Sequence, residues 1–246
     1  MSRGDTQMRI STILSENQRE VQKQIENCAD ILLRPLMIGE KEKTEAFLIY
    51  IEVAVSNLML EEHVIGLSDV QPLKSYAEGK AALLAGNGLL FLDGDTNCYK
   101  ISSKGYPGLG VKKAENEKVI RGSQEAFTES EKINVALIRK RLRDSRMKVE
   151  EQTVGVRSHT MTALVYMEDL IYQGLLTTMK QQLQRYEIDG ILDSGMLEQL
   201  SEKHWLSPFP QFQTTERPDR AAAAVLEGRI VLVTDHSPQV LILPSD

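Results

Sequence analysis

The second half of this sequence repeats the first half. The stretch ALLAGNGLLFLD at residues 82–93 aligns without gaps with AVLEGRIVLVTD at residues 224–235. An earlier pair, LIYIE at residues 48–52 and LVYME at residues 164–168, aligns at a second constant spacing. Two copies of this length do not make a solenoid, which buries its core by stacking at least three short units. The repeat therefore predicts two similar lobes.

Each copy has the order strand, helical stretch, glycine, strand, acidic turn, strand. Gly86 and Gly228 follow the helical stretches, where glycine accepts a left-handed backbone conformation without steric cost. Asp93-Gly94 predicts a tight hairpin. We expect an α/β (α+β) fold of two similar lobes, each a mixed sheet with β-hairpins and packed helices, and a cleft between them where a small ligand would bind.

The lobe boundary is predicted near residue 145. The first lobe, residues 1–145, would include an N-terminal helix and a connecting helix, and the second lobe would take residues 146–246. The glycine-rich stretch 105–116 is the best linker candidate. Thr128 and Glu131 have the spacing of a capping box, which predicts a helix from there to about residue 143.

Composition excludes several classes of protein. The formal net charge of −6 and the pI near 5.4 argue against a nucleic-acid surface, which usually needs a strongly basic face. The two cysteines, Cys28 and Cys98, are too few for a disulfide scaffold, so we expect free thiols in a reducing compartment. No signal peptide and no uninterrupted apolar run of roughly 18 to 20 residues occurs, so we expect a soluble chain.

Catalytic and metal-binding motifs are missing from the sequence. There is no serine nucleophile elbow, no HExxH and no Walker A sequence, and the four histidines lack paired spacing with cysteines or carboxylates. We therefore expect no enzyme, no cofactor and no metal. The basic run at Arg139, Lys140, Arg141 and Arg143 favours a structural role at a helix C-terminus over an anion or partner site.

Two segments are more specific than any periodicity. They are RGSQEAFTESEKINVALIRKRLR at 121–143 and SPFPQFQTTERPD at 207–219, accompanied by CADILLR at 28–34 and EIDGIL at 187–192. Together they resemble the GerA-type spore germinant receptor A subunits, whose motifs read RGPREGF, N-x-x-L-I-R-R-R-L-R and SPFPQ-x-x-x-TERPD. The resemblance runs from about Cys28 onward, although residues 123–126 depart from the usual proline, arginine and glycine.

The resemblance implies a nutrient receptor that triggers germination of bacterial spores. In that family, this region precedes several transmembrane helices and works with B and C subunits and other A subunits. The whole protein would sit in the spore inner membrane, with this region on the cytoplasmic, spore-core side. The nutrient would be an amino acid or a sugar. This chain would then be a fragment that senses nutrient binding or transmits it to the membrane part.

Charged residues of the two motifs are the candidate ligand or inter-lobe residues: Arg121, Glu125, Glu129, Glu216, Arg217 and Asp219. Cationic and anionic side chains in a cleft could grip a zwitterionic nutrient. A structural role, in which these groups cap helices and pair locally, has equal weight. A second function is also open, namely a purely structural oligomerisation domain of the receptor or ion channel that has no small-molecule site.

Overall fold

The computed structural model describes residues 9–39, 42–53, 70–102, 117, 123–184, 189–190, 193–201 and 212–244. The chain forms two compact units. The first unit comprises Met1–Pro107 with Arg143–Ser145, and the second comprises Gly108–Leu142 with Arg146–Asp246. The sequence pattern of residues 56–64 predicts a further helix, but residues 54–69 lie outside the described residues, as does the candidate linker at 105–116.

The first unit contains a five-stranded sheet with the strand order β1-β2-β4-β5-β3. Every strand pair in it is antiparallel. Its elements are α1 (Leu14–Gln24), β1 (Ile31–Ile38), β2 (Thr44–Ile51), β3 (Val70–Leu73), α2 (Tyr76–Leu84), β4 (Gly88–Leu92) and β5 (Cys98–Ile101).

The second unit repeats this order as β6-β7-β9-β10-β8, again with antiparallel pairs throughout. The predicted α+β fold of two similar lobes is confirmed, and its sheets are antiparallel rather than mixed. Its elements are α3 (Glu131–Arg141), β6 (Met147–Val154), β7 (Thr160–Met167), α4 (Gln173–Gln184), α5 (Ser194–Ser201), β8 (Gln213–Thr215), α6 (Pro218–Leu226), β9 (Ile230–Thr234) and β10 (Val240–Leu243).

Helix α3 belongs to the second unit, whereas the sequence placed it in the first lobe as a connecting helix. It packs against β7, β9 and α6, and its Val135, Leu137 and Ile138 join the core of that unit. It occupies the place that α1 has in the first unit, where α1 packs on β2 and β4. Each copy therefore begins with its own helix, because the sheet face beneath it needs an apolar cover.

Both sheets bury both of their faces. In the second unit, one face forms a core cluster with α3 and α6, and the other face forms a cluster with α4 and α5. Strand β9 lies between them, and its residues Ile230–Thr234 are all buried. An uninterrupted apolar run such as residues 230–233 is typical of a strand that is covered on both sides.

A buried asparagine clamps the chain just before the first helix of each unit. Asn134 Oδ1 accepts from the Thr128 amide at 2.7 Å, and its Nδ2 donates to the Thr128 carbonyl at 2.7 Å. Asn17 does the same with Ser11, at 2.9 and 2.7 Å. Both asparagines are 0% exposed. The clamp satisfies backbone groups that the turn would otherwise leave unpaired.

In each copy, the aspartate of the acidic turn caps the first helix of its own unit. Asp235 Oδ1 accepts from the Glu131 amide at 3.1 Å, and Asp93 Oδ1 accepts from the Leu14 amide at 3.1 Å. These contacts replace the capping box expected at Thr128, since the N-cap residue of α3 is Ser130 and its side chain makes no capping bond. The helix start is satisfied by a residue that only the tertiary fold brings there.

Within the described residues, no helix has both the length and the apolar character that a membrane crossing requires.

Candidate functional site

Glu125 is the predicted site residue with the most contacts to other charged groups. Its carboxylate accepts from Arg141 Nη2 at 2.7 Å and from Lys140 Nζ at 3.2 Å. Burial alone would raise the pKa of Glu125, but the hydrogen bonds from Arg141 and Lys140 outweigh it, so the pKa is lowered. Both basic residues lie in the last turn of α3. The two ends of the first family motif are thus joined by an ion pair.

The second motif forms a pair of its own at the start of α6. The Arg217 guanidinium donates to both oxygens of Asp219, at 3.1 and 2.5 Å. The hydrogen bond to Asp219 raises the pKa of Arg217. Burial would raise the pKa of Asp219, but the hydrogen bond from Arg217 dominates and the net shift is downward. Both groups are therefore charged at neutral pH.

These two ion pairs belong to one cluster. Helices α3 and α6 pack side by side, and the positive charge of Arg141 contributes to the lowered pKa of Asp219. We call this group the α3–α6 charge cluster: Glu125, Lys140, Arg141, Arg217 and Asp219. Its side chains are part-exposed, from 13% for Arg217 to 38% for Lys140. It therefore presents alternating charge on the surface of the second unit.

A neighbouring carboxylate extends the cluster along α6. Glu117 accepts from Arg220 Nη1 at 2.8 Å and from the Thr215 hydroxyl at 2.7 Å. Its charge also acts on Arg217. No sequence signal singles out Glu117, because its partners are about a hundred residues away in the chain.

Two other predicted residues accept hydrogen bonds through their backbone carbonyls: Glu216 links the two motifs, and Glu129 links the first motif to the β9–β10 turn. The Glu216 carbonyl accepts from the Phe127 amide at 2.9 Å, and the Glu129 carbonyl accepts from the His236 amide at 2.7 Å. The Glu216 side chain is buried and accepts from Gln239 Nε2 at 3.2 Å, whereas the Glu129 side chain is exposed. Arg121, the sixth candidate, lies outside the described residues.

The basic run of α3 divides into two roles. Arg139 is 0% exposed and donates to the Met147 carbonyl at 3.0 Å, so it ties the helix to the start of β6. Arg141 donates to the Leu137 carbonyl from Nη1, which satisfies one free carbonyl at the helix end, and keeps Nη2 for Glu125 and Ser123. The expected structural role describes Arg139, while Arg141 also serves the charge cluster.

The cluster has the chemistry of exchangeable ion pairs rather than of catalysis. Each carboxylate in it is paired with a basic group, and the pKa values of Glu125 and Asp219 are lowered, so neither is poised as a general base at neutral pH. Ion pairs at a part-exposed surface are individually weak and can exchange partners at low cost. The arrangement therefore suits a surface that binds a partner or changes its packing.

The structure is a domain of two similar α+β units, and residues of both motifs form a charge cluster on the second unit. No recognisable catalytic group occurs among the described residues. Comparison with known proteins shows the family to which this domain belongs. The family model described as Bacillus/Clostridium GerA spore germination protein matches residues 57–246. The chain belongs to this family of spore germination proteins.

Three relatives show how far the similarity extends. Spore germination protein KA of Bacillus subtilis is 30% identical over 96% of this chain and 48% of its own length. The uncharacterized membrane protein YfkQ of the same species is 32% identical over 96% of this chain and 50% of its own length. The crystal structure of the N-terminal domain of the A subunit of the Bacillus megaterium spore germinant receptor GerK3 has a TM-score of 0.76 at 26% identity, covering 98% of both chains.

The chain spans about half the length of the curated relatives that it matches. Its similarity to the receptor domain covers nearly the whole of that domain.

Proposed function

We infer that this chain is the N-terminal domain of the A subunit of a nutrient germinant receptor, and that it transmits nutrient binding to the membrane part of the receptor. The whole receptor would contain B and C subunits and further A subunits in the spore inner membrane, with this domain on the spore-core side. The domain acts without bond-breaking chemistry. The charge cluster is the surface through which it couples to the rest of the receptor.

The observation that carries this proposal is the convergence of both family motifs on one surface. Residues 121–143 and 207–219 are far apart in the chain, yet their charged groups meet on the helix pair α3–α6. Each ion pair lies within its own motif. The two motifs are joined by the Phe127 amide, which donates to the Glu216 carbonyl at 2.9 Å, and by the packing of α3 on α6. The charge of Arg141 also acts on Asp219.

Coupling by such a surface requires two packing states. A nutrient shifts the balance between them only by its different affinity for each. Ion pairs that exchange partners at low cost allow two arrangements of the same helices to have similar free energies. The cleft that the repeat predicts, and a zwitterionic nutrient within it, remain predictions.

Paired substitutions test the coupling role. Arg141→Ala and Asp219→Ala are introduced into the full-length receptor protein, and nutrient-triggered germination of spores is followed by loss of optical density. In parallel, the melting temperature of the 246-residue chain is measured for the same variants. We expect germination to be lost while the melting temperature falls by only a few degrees, because exposed or part-exposed pairs contribute about 1 kcal/mol or less.

The matched control is Arg146→Ala. Arg146 pairs with Asp169 at 2.6 Å on the same unit, outside both motifs, and both side chains are more exposed. It should leave germination and stability unchanged. Normal germination in the two cluster variants would refute the coupling role.

A purely structural oligomerisation domain is the second candidate. The observation in its favour is that Glu125, Arg217 and Asp219 all have partners within the unit, as a scaffold would require. In that case the cluster variants would show a large loss of stability or of receptor assembly, detected by cross-linking in spore membranes. Germination would then fall only in proportion to the amount of assembled receptor.

A further inference from the structure

A row of polar side chains crosses the sheet of the second unit. Gln152, Thr162 and Thr234 are direct cross-strand partners on β6, β7 and β9. Partners in an antiparallel sheet point to the same face, so the three side chains are neighbours. We call them the polar row. It lies two residues along from Leu164 and Leu232, and therefore on the face that α4 and α5 cover.

Three polar atoms of this row are buried without hydrogen-bond partners among the residues that the structure describes. Thr162 and Thr234 are both 0% exposed. Across the described part of the chain, Thr162 Oγ1, Thr234 Oγ1 and Gln152 Nε2 make no hydrogen bond. A buried polar group without a partner destabilises the state that buries it. The covered state of this sheet face therefore carries a cost that apolar residues would not impose.

The first unit shows that the fold does not need polar residues here. Its corresponding row, also formed by direct cross-strand partners, consists of Leu36, Ala46 and Leu92 on β1, β2 and β4. The two units share strand order and pairing, so the difference lies in the side chains alone. A polar row that is costly in the covered state indicates a second state in which these atoms are hydrogen-bonded.

The surroundings of the row indicate what it would bind. Beyond Thr234, Gln239 Nε2 donates to the buried carboxylate of Glu216, so the polar strip continues toward β8. The Ser194 hydroxyl, at the first residue of α5, lies 2.7 Å from the Ser237 hydroxyl in the β9–β10 turn. Apart from the Glu216 carboxylate, this strip consists of hydroxyl and amide groups, and on the other side of Gln152 the Glu150 carboxylate is paired with Lys180 at 2.6 Å. Hydroxyls both donate and accept.

We propose that the polar row is the floor of a binding site for a small uncharged molecule with several hydroxyl groups, a sugar or a cyclic polyol, which enters when α5 moves off the sheet. The ligand's hydroxyls supply the partners that Gln152, Thr162 and Thr234 lack in the covered state. Because these bonds form only in the open state, the ligand shifts the balance toward that state.

This site lies on the sheet face opposite the α3–α6 charge cluster. This proposal rests on the proposed function in one respect only, since it names the class of ligand that the receptor would bind. Binding is measured on the isolated 246-residue chain, whereas coupling is measured by germination, so either can fail without the other.

Calorimetric titration with D-glucose and with myo-inositol tests the site, and glycine serves as a zwitterionic comparison. We expect one or both polyols to bind and glycine not to bind. The double variant Thr162→Val, Thr234→Val should weaken binding at least about tenfold, because two hydroxyl partners are lost. Its melting temperature should equal or exceed that of the wild type, since valine keeps the shape and removes the unpaired hydroxyl.

The matched control is Thr177→Val on the exposed surface of α4, where the hydroxyl donates to the Gln173 carbonyl. It should leave polyol binding unchanged. Failure of both polyols to bind overturns the proposal, and so does binding that survives unchanged in the double valine variant. The row would then be only a polar, dry part of the core.

A disulfide lock tests the movement of α5. The hydroxyls of Ser194 and Ser237 are close enough for the double variant Ser194→Cys, Ser237→Cys to form a disulfide. Both native thiols are buried in the first unit and do not compete. Oxidation should abolish polyol binding and reduction should restore it. Wild-type affinity in the oxidised form would exclude entry beneath α5.

Discussion

The buried asparagines Asn17 and Asn134 show how much a single polar residue contributes to this fold. Each bonds both the amide and the carbonyl of a residue six positions earlier, so its amide group substitutes for a missing stretch of secondary structure. Neither bond can be replaced by water, because both side chains are fully buried. The preceding turn and the first helix of each unit are fixed together by this contact.

Asn134→Ala should therefore destabilise the second unit by about 2 to 3 kcal/mol, since the part-buried amide and carbonyl of Thr128 both lose their partner. The free energy of unfolding in urea measures the change, provided that the slope with denaturant stays constant. Gln181→Ala, on the exposed side of α4, is the control and should change stability little. A loss for Asn134→Ala no larger than that of the control would show that the clamp is dispensable.

Asp235 is the second residue whose role depends on the tertiary fold. Replacing it by alanine removes the acceptor for the Glu131 amide and should cost about 1 kcal/mol, the usual value of a helix N-cap. Asp235→Asn keeps a side-chain oxygen in place and should retain most of that stability. Thermal unfolding of the two variants separates them. Equal losses would assign the effect to the charge of Asp235 rather than to its hydrogen bond.

At the scale of elements, glycines set where helices end and strands begin. Gly228 follows α6 with a φ of +82°, and a Cβ there would lie 2.7 Å from the Leu170 carbonyl oxygen. Gly94 has nearly the same φ, +81°, but nothing lies within 4 Å of its would-be Cβ. Comparing substitutions at these two glycines therefore separates the energetic cost of backbone strain from that of close packing.

Gly94→Ala should cost about 1 kcal/mol from left-handed strain alone. Gly228→Ala should cost at least twice as much, because the backbone of residue 170 must also move and overpacking typically adds about 1 to 3 kcal/mol. Urea denaturation of both variants gives the comparison. If the two losses were the same, the approach of residue 170 would have no energetic consequence.

The ion pair between Glu125 and helix α3 predicts that the stability of the protein depends on pH. The folded-state pKa of Glu125 lies below its ordinary value of 4.5. A carboxyl with a lowered folded pKa stabilises the protein above its unfolded pKa, and this contribution is lost as the pH falls through the folded value. Glu125→Gln should therefore be less stable than the wild type at neutral pH, by about 1 kcal/mol.

Melting temperatures measured across acidic and neutral pH test this expectation. The difference between wild type and Glu125→Gln should be largest at neutral pH and should close below the ordinary pKa of 4.5. Asp169→Asn, in the more exposed pair with Arg146, serves as the control and should show little difference at any pH. A constant difference for Glu125→Gln would assign its effect to packing.

On the scale of the whole molecule, the two units have separate cores. Both cysteines lie in the first unit and are buried. Burial raises the pKa of Cys98 to about 12, so its thiol is protonated and unreactive in the native state. Thiol reactivity in denaturant therefore reports the unfolding of the first unit alone.

Leu90 and Leu232 are the same repeat position in β4 and β9, both almost fully buried. Substitution of either by alanine should cost about 2 to 5 kcal/mol in its own unit. Leu90→Ala should lower the urea concentration at which the thiols react, whereas Leu232→Ala should not. An equal shift in both variants would show that the two units unfold as a single cooperative body.

Much of the fold follows from local pattern. Strands β4, β5, β9 and β10, the glycine ends of α2 and α6, and the two similar lobes are all evident in the repeat. Hydrophobic runs and glycines act within a few residues, so the chain carries their signal locally. The short strands β3 and β8 escape prediction, because they have few apolar residues and are placed by pairing with β5 and β10.

For the candidate site, the sequence predicts some of the residues but not the contacts between them. The motifs supplied Glu125, Arg217 and Asp219, but not the partner of Glu125 in Arg141, nor Glu117, nor the unpaired row on the opposite face. By itself the sequence determined the repeat, the family and the strand and helix types, because these depend on neighbours in the chain. The tertiary structure alone decided which distant charges meet and which polar groups lack partners, because those depend on strand register and helix packing across a hundred residues.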